Sequence, residues 1–177
     1  MKFSVSILLF LSCVFLLSSC EFNCSVGQKD KNSSAAFRED EPRIYNNINL
    51  KATGLKVEKA YLIFENGDGV PENNAVDFTS PVKMIVKIDT GWVVQNDKVM
   101  IGASEKIISE EGTVLLDKTD LFADDPGVSP QDSKVISLWA NIKLREGSPP
   151  ASFTISFRIW DKNGKGTIEG NYKLYSK

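Results

Sequence analysis

Residues 153–175 read FTISFRIWDKNGKGTIEGNYKLY, two alternating runs on either side of Asn163-Gly164. An Asn-Gly pair in that setting predicts a two-residue β-hairpin turn of type I′, whose central residues both need positive φ. Placing the turn there pairs Lys162 with Lys165 and fixes every later partner. Ile159 faces Ile168, Phe157 faces Gly170, Ile155 faces Tyr172 and Phe153 faces Leu174, all on one side. The other side pairs Trp160 with Thr167, Arg158 with Glu169, Ser156 with Asn171 and Thr154 with Lys173. One register thus gives an apolar face, a polar face, an opposite-charge pair and an aromatic ring over a strand glycine. A slip of one residue would destroy all four.

Working outward, further strands are predicted near Ala60–Glu65, Ala75–Phe78, Val82–Asp89, Lys98–Ile108, Thr113–Leu116 and Val135–Leu144, with a weaker one near Ile44–Thr53. The row Ile136, Leu138, Ala140, Ile142 and Leu144 suggests that this strand joins the hairpin in a three-stranded meander. Helical periodicity is confined to one turn around Thr119–Ala123. Short strands punctuated by Gly, Pro, Asn and Asp predict an all-β chain. The closing hairpin is similar to that of bacterial immunoglobulin-like domains. That resemblance implies an antiparallel β-sandwich, immunoglobulin-like or related, of about 7–9 strands.

The N-terminus has a different composition. Lys2 precedes an apolar run, Val5–Leu17, broken only by Ser6 and Ser12. At 13 residues it is shorter than the roughly 20 a spanning helix needs and suits the core of a secretory signal. The run ends in Leu17-Ser18-Ser19-Cys20, which resembles the lipobox of bacterial lipoproteins. The resemblance implies a signal peptide over residues 1–19, cleavage before Cys20, and acyl chains such as palmitate on Cys20 as a membrane anchor. Two or more chains give the stable attachment that one cannot. In such families Glu21, unlike Asp at that position, implies sorting to the outer membrane of the bacterial envelope, with the domain facing periplasm or cell surface. Cys13 and Cys24 lack the motif. Cys24 reads as an idle thiol, with a second lipid or an intermolecular disulfide as alternatives.

Residues 20–43 carry scattered charge, Ser, Asn and Gly without periodicity and read as a flexible tether. Their reach is roughly 27 Å root-mean-square. Residues 44–177 then form the β-sandwich domain, which contains no Cys and so depends on its core alone.

The chain contains no His, which removes Ser/His and Cys/His nucleophile pairs and imidazole acid–base chemistry. A net charge of −2 gives no field for collecting phosphates, so nucleic acid is not an expected partner. Asp161–Ile168 superficially resembles an EF-hand start, but Lys165 occupies a ligand position and Tyr172 the position of the closing carboxylate. Two acidic loops, Glu65, Asp68 and Glu72 in one and Asp117, Asp120, Asp124 and Asp125 in the other, could gather calcium, although Asp, Asn and Gly are also ordinary turn residues. Trp139 and Trp160 fall opposite the apolar rows, where they could form one stacking platform for sugars or be covered by other elements. Trp92 reads as a strand-end core or rim residue.

These features predict a membrane-anchored, non-catalytic binding or structural module. Its expected partners are the membrane and an envelope protein or glycan, and it needs no cofactor beyond the lipid. A carbohydrate-binding accessory lipoprotein is the alternative, and a carboxylate- or calcium-dependent hydrolase the least favoured.

Overall fold

The computed structural model describes residues 41–177 apart from residue 146. Within them lie twelve strands: β1 (Arg43–Ile44), β2 (Asn49–Thr53), β3 (Lys56–Phe64), β4 (Ala75–Val76), β5 (Val82–Thr90), β6 (Val94–Gln95), β7 (Lys98–Val99), β8 (Ile101–Ser109), β9 (Val114–Lys118), β10 (Val135–Ala140), β11 (Ser152–Asp161) and β12 (Thr167–Ser176). A single 3₁₀ turn, Asp132–Lys134, is the one helical element among the described residues. The turn expected at Thr119–Ala123 is not helical. Asp120 instead accepts the Phe122 N–H at 2.9 Å and folds that segment as a side-chain-supported turn.

The chain is an all-β sandwich. One sheet runs β1-β3-β5-β10, and the other runs β2-β12-β11-β8-β9 with β4 on the same edge of β12 as β2. Alternation puts Leu62, Met84, Val86 and Leu138 of the first sheet against Ala103, Ile107, Ile155, Ile159, Ile168 and Leu174 of the second, in one continuous core. In β3 both Val57 and Ala60 point inward, which strict alternation forbids; a register shift between Val57 and Lys59 inserts the extra residue. Two buried asparagines tie the sheets together at one end. Asn46 donates to Val70 O and accepts the Leu62 N–H at 2.9 Å, while Asn74 donates to Asn46 O at 2.7 Å and to Lys173 O at 2.9 Å. Both adopt positive φ, which asparagine tolerates better than other side-chain-bearing residues.

The β11–β12 register is the one the sequence dictates, from Phe153↔Leu174 through Phe157↔Gly170 to Trp160↔Thr167. The tip differs. Neither Asn163 nor Gly164 has positive φ, so no type I′ turn forms. Lys162 N–H bonds to Met100 O at 2.8 Å instead of pairing with Lys165, and Asp161 accepts the N–H groups of Asn163 at 2.9 Å and Val93 at 2.7 Å. These contacts with neighbouring segments outcompete the local turn preference. The left-handed pair occurs elsewhere: Asn96 and Asp97, with φ of 50° and 60°, join β6 to β7 in the two-residue hairpin that Asn163-Gly164 had suggested.

The meander is also corrected. β11 is paired with β12 on one side and with β8 on the other, from Phe153↔Ser109 to Asp161↔Ile101. No edge remains for β10, which pairs antiparallel with β5 in the opposite sheet. Its row of Ile136, Leu138 and Ala140 meets the core from either side, so hydrophobic alternation alone could not choose the sheet.

Gly170 tests this packing. A Cβ there would lie 2.1 Å from Asn49 O on β2 and 2.9 Å from Phe157 Cζ. Gly170→Ala is expected to lower unfolding stability by about 1–3 kcal/mol in urea titrations. Gly69→Ala, with nothing within 4 Å, should change it by less than about 0.5 kcal/mol. Equal effects would contradict the close approach of β2 to β12.

Candidate functional site

The outer face of the second sheet carries the most continuous polar surface that the strand registers build. Cross-strand neighbours form one ladder of Lys51, Glu169, Arg158 and Ser104, and beside it a second of Asn49, Asn171, Ser156, Lys106 and Asp117. Every member is outward because its strand neighbours supply the core. Together the ladders line a groove of about 640 Å³ crossing β2, β12, β11, β8 and β9. Lys106 and Asp117 pair at 3.0 Å at its β8–β9 end. Amides, hydroxyls and both signs of charge are thus presented along an extended track, a chemistry that suits a polar chain molecule more than an apolar one.

Trp160 belongs to the next ladder, with Thr167 and Gly102 as its neighbours. Its indole lies on Gly102 so closely that a Cβ there would come within 2.0 Å of the ring. Arg158 leans toward the same ring, with its guanidinium carbon 5.7 Å from the centroid. An aromatic plane therefore flanks the polar groove. Trp139 stands on β10 of the other sheet, 43% exposed, under the Lys83 ammonium at 4.0 Å from its centroid. The two tryptophans belong to different sheets, and no single platform contains both. Trp92 is partly buried against the core and donates its Nε1–H to Ser133 O at 3.1 Å.

The acidic loops do not converge. Among the described residues no three His, Cys, Asp or Glu side chains gather as a metal-binding group. Asp68 is tied within its own turn to Asn66. Asp117 is paired with Lys106, and Asp125 accepts the Gly127 N–H at 2.7 Å. Asp120 pairs with Lys162 at 2.8 Å. Burial alone would raise its pKa, but the Lys162 ammonium and the N–H groups of Phe122 and Ala103 outweigh that and hold the carboxyl below its usual range. Asp161 serves the hairpin tip as described, which leaves the EF-hand likeness without a ligand cluster. Cys13, Cys20 and Cys24, with the signal peptide and the tether as far as residue 40, lie outside the described residues.

One group escaped the reading of the sequence. Glu105 on β8 sits in an apolar row, Ile101, Ala103, Glu105, Ile107, and is 2% exposed, with Oε1 lacking a hydrogen-bond partner among the described residues. Burial pushes its carboxyl up to about 7. Tyr172, buried nearby with an unpartnered hydroxyl, is raised well above the usual phenol value by burial and by the Glu105 charge. The signal was present in the sequence: a carboxylate at an inward position of an otherwise apolar strand.

Comparison with protein-family models finds no match, and comparison with curated proteins finds none. Among solved structures, the chain is similar to the C-terminal domain of Wzt, at 13% identity and a TM-score of 0.44, with 80% of this chain and 87% of that one covered.

Glu105 predicts a pH dependence of stability. Its folded pKa of about 7 lies above an unfolded value of 4.5, so the folded state binds the extra proton between them and stability falls as pH rises through that window. The fall is about 3 kcal/mol from pH 4.5 to pH 8, and no imidazole competes in this range. Asp120, being lowered, acts only at the acid end, where its stabilisation disappears below an unfolded value near 3.8. Urea unfolding of Glu105→Gln should lack the fall between pH 4.5 and 8. A flat native profile would contradict the unpaired, buried state of this carboxyl.

Proposed function

We propose that this chain is an exported lipoprotein of the bacterial envelope, held at the outer membrane by lipid on Cys20, and that its β-sandwich is a non-catalytic binding module. The two polar ladders across β2, β12, β11, β8 and β9 carry the binding part of this reading. They give a track of hydrogen-bonding groups about five strands wide, roughly 20 Å at the usual strand spacing, which matches an extended polar ligand. The anchor rests on the order of Lys2, the apolar run and Leu17-Ser18-Ser19-Cys20. The non-catalytic reading is supported by the absence of His and by the ion-paired or turn-bound state of Asp117, Asp120 and Asp125.

A second reading narrows the ligand to a glycan. It is favoured by the Trp160 plane beside the groove, since a ring fixed flat on Gly102 is a ready stacking surface for a sugar. Trp139 takes no part in it.

Both parts are tested in cells producing the full chain. Cys20→Ala should abolish incorporation of labelled palmitate and release the protein from membranes, and retention of label would overturn the anchor. On a glycan array, Trp160→Ala and Arg158→Ala should each weaken binding by about tenfold or more while Trp139→Ala leaves it unchanged. Equal loss from Trp139→Ala would contradict the assignment of the groove.

A further inference from the structure

A second concavity lies on the flank where β9 and β10, the last strands of their respective sheets, leave the sandwich open. It measures about 390 Å³, within the range of small-molecule pockets. Its apolar wall includes Ile107, Leu116, Leu121, Ile142 and Trp139. Ile107 and Ile142 are buried core residues, so the cleft reaches the space between the sheets; Leu121 and Trp139 are exposed at 39% and 43% and form its rim. Glu105 lines the same cleft.

We propose that this cleft binds a small molecule with an apolar body and one neutral hydrogen-bond donor, the donor meeting the Glu105 carboxyl group. The apolar wall supplies affinity in proportion to the surface it removes from water. Glu105 supplies selectivity, because a buried carboxyl oxygen without a partner is costly to the protein and a ligand O–H restores the missing bond. An apolar isostere without the O–H leaves that oxygen as it was. The donor is neutral and not an ammonium because Lys118 and Lys143 also line the cleft and would repel a cation. Glu105 and Lys118 line both this cleft and the groove described above, while no ladder residue and not Trp160 lines the cleft. Its occupation does not depend on the anchor or on the glycan reading.

The isomers benzyl alcohol and anisole differ in the O–H donor and little in size, which makes them matched probes. Methyl NMR of the full chain, labelled at Ile and Leu, should show saturable shifts at Ile107, Leu116 and Ile142 with benzyl alcohol. Above about pH 8, where the Glu105 carboxyl is ionised and can only accept, anisole should require about tenfold higher concentration, the scale of one hydrogen bond to a carboxylate. In Glu105→Leu the two isomers should become equivalent. Indistinguishable isomers in the native chain, or unmoved cleft methyls, would overturn the proposal, and the native measurement stands even where the variant fails to fold. An extended peptide strand pairing with the β9 or β10 edge, the other occupant such a flank admits, would leave both probes without effect.

Discussion

The pairing of β11 along both of its edges is the constraint on which the rest of the molecule depends. Its partners run from Phe153↔Leu174 to Trp160↔Thr167 on one side and from Phe153↔Ser109 to Asp161↔Ile101 on the other. Once both edges are taken, the parity of every residue in β12 and β8 follows. Phe153, Ile155, Phe157 and Ile159 go inward, while Ser156, Arg158 and Trp160 go outward. The same parity extends through β12 to β2 and through β8 to β9, so the core and the polar ladders are two faces of a single register. Saturation of β11 also sends β10 to the first sheet. That leaves β9 and β10 as the terminal strands that flank the lateral cleft.

Much of this was legible in residues 153–175, because a period of two leaves only one register that buries Ile159, Phe157 and Ile155 together with Ile168, Tyr172 and Leu174. Strand positions were legible for a similar reason. What escaped the sequence involves choices made by distant contacts. Lys162 finds Met100 O and Asp120, and Asp161 finds the Val93 N–H, so the Asn163-Gly164 tip opens away from the type I′ form that its residues favour locally. Gly164 is needed there for close approach, since a Cβ would lie 2.5 Å from Asp161 Oδ2. The sheet that β10 joins is likewise invisible to alternation, which records burial and not the partner.

The candidate site divides along the same line. Polar outward positions on β11 and β12 could be read from the alternation, but their alignment with Lys51, Lys106 and Asp117 required the pairings with β2, β8 and β9. Trp139 and Trp160 looked equivalent because the meander put them on one sheet; the observed topology separates them and leaves only Trp160 beside the groove. In the two acidic loops Asp68, Asp117, Asp120 and Asp125 are bound to nearby N–H groups and ammonium groups. Glu105 shows the opposite case, an acid that local pattern treats as one of an apolar row and that the interior leaves unpartnered.

The central claim is that the outer face of the second sheet is where this protein meets its ligand. The most direct measurement is photo-crosslinking in cells from a diazirine amino acid placed at Ser156, in the second ladder between Asn171 and Lys106, compared with one at Ser137 on the outward side of β10 in the first sheet. Adducts on the full chain from position 156 and none from position 137 are the predicted result. Adducts of equal yield from both positions, or none from 156, would contradict the account.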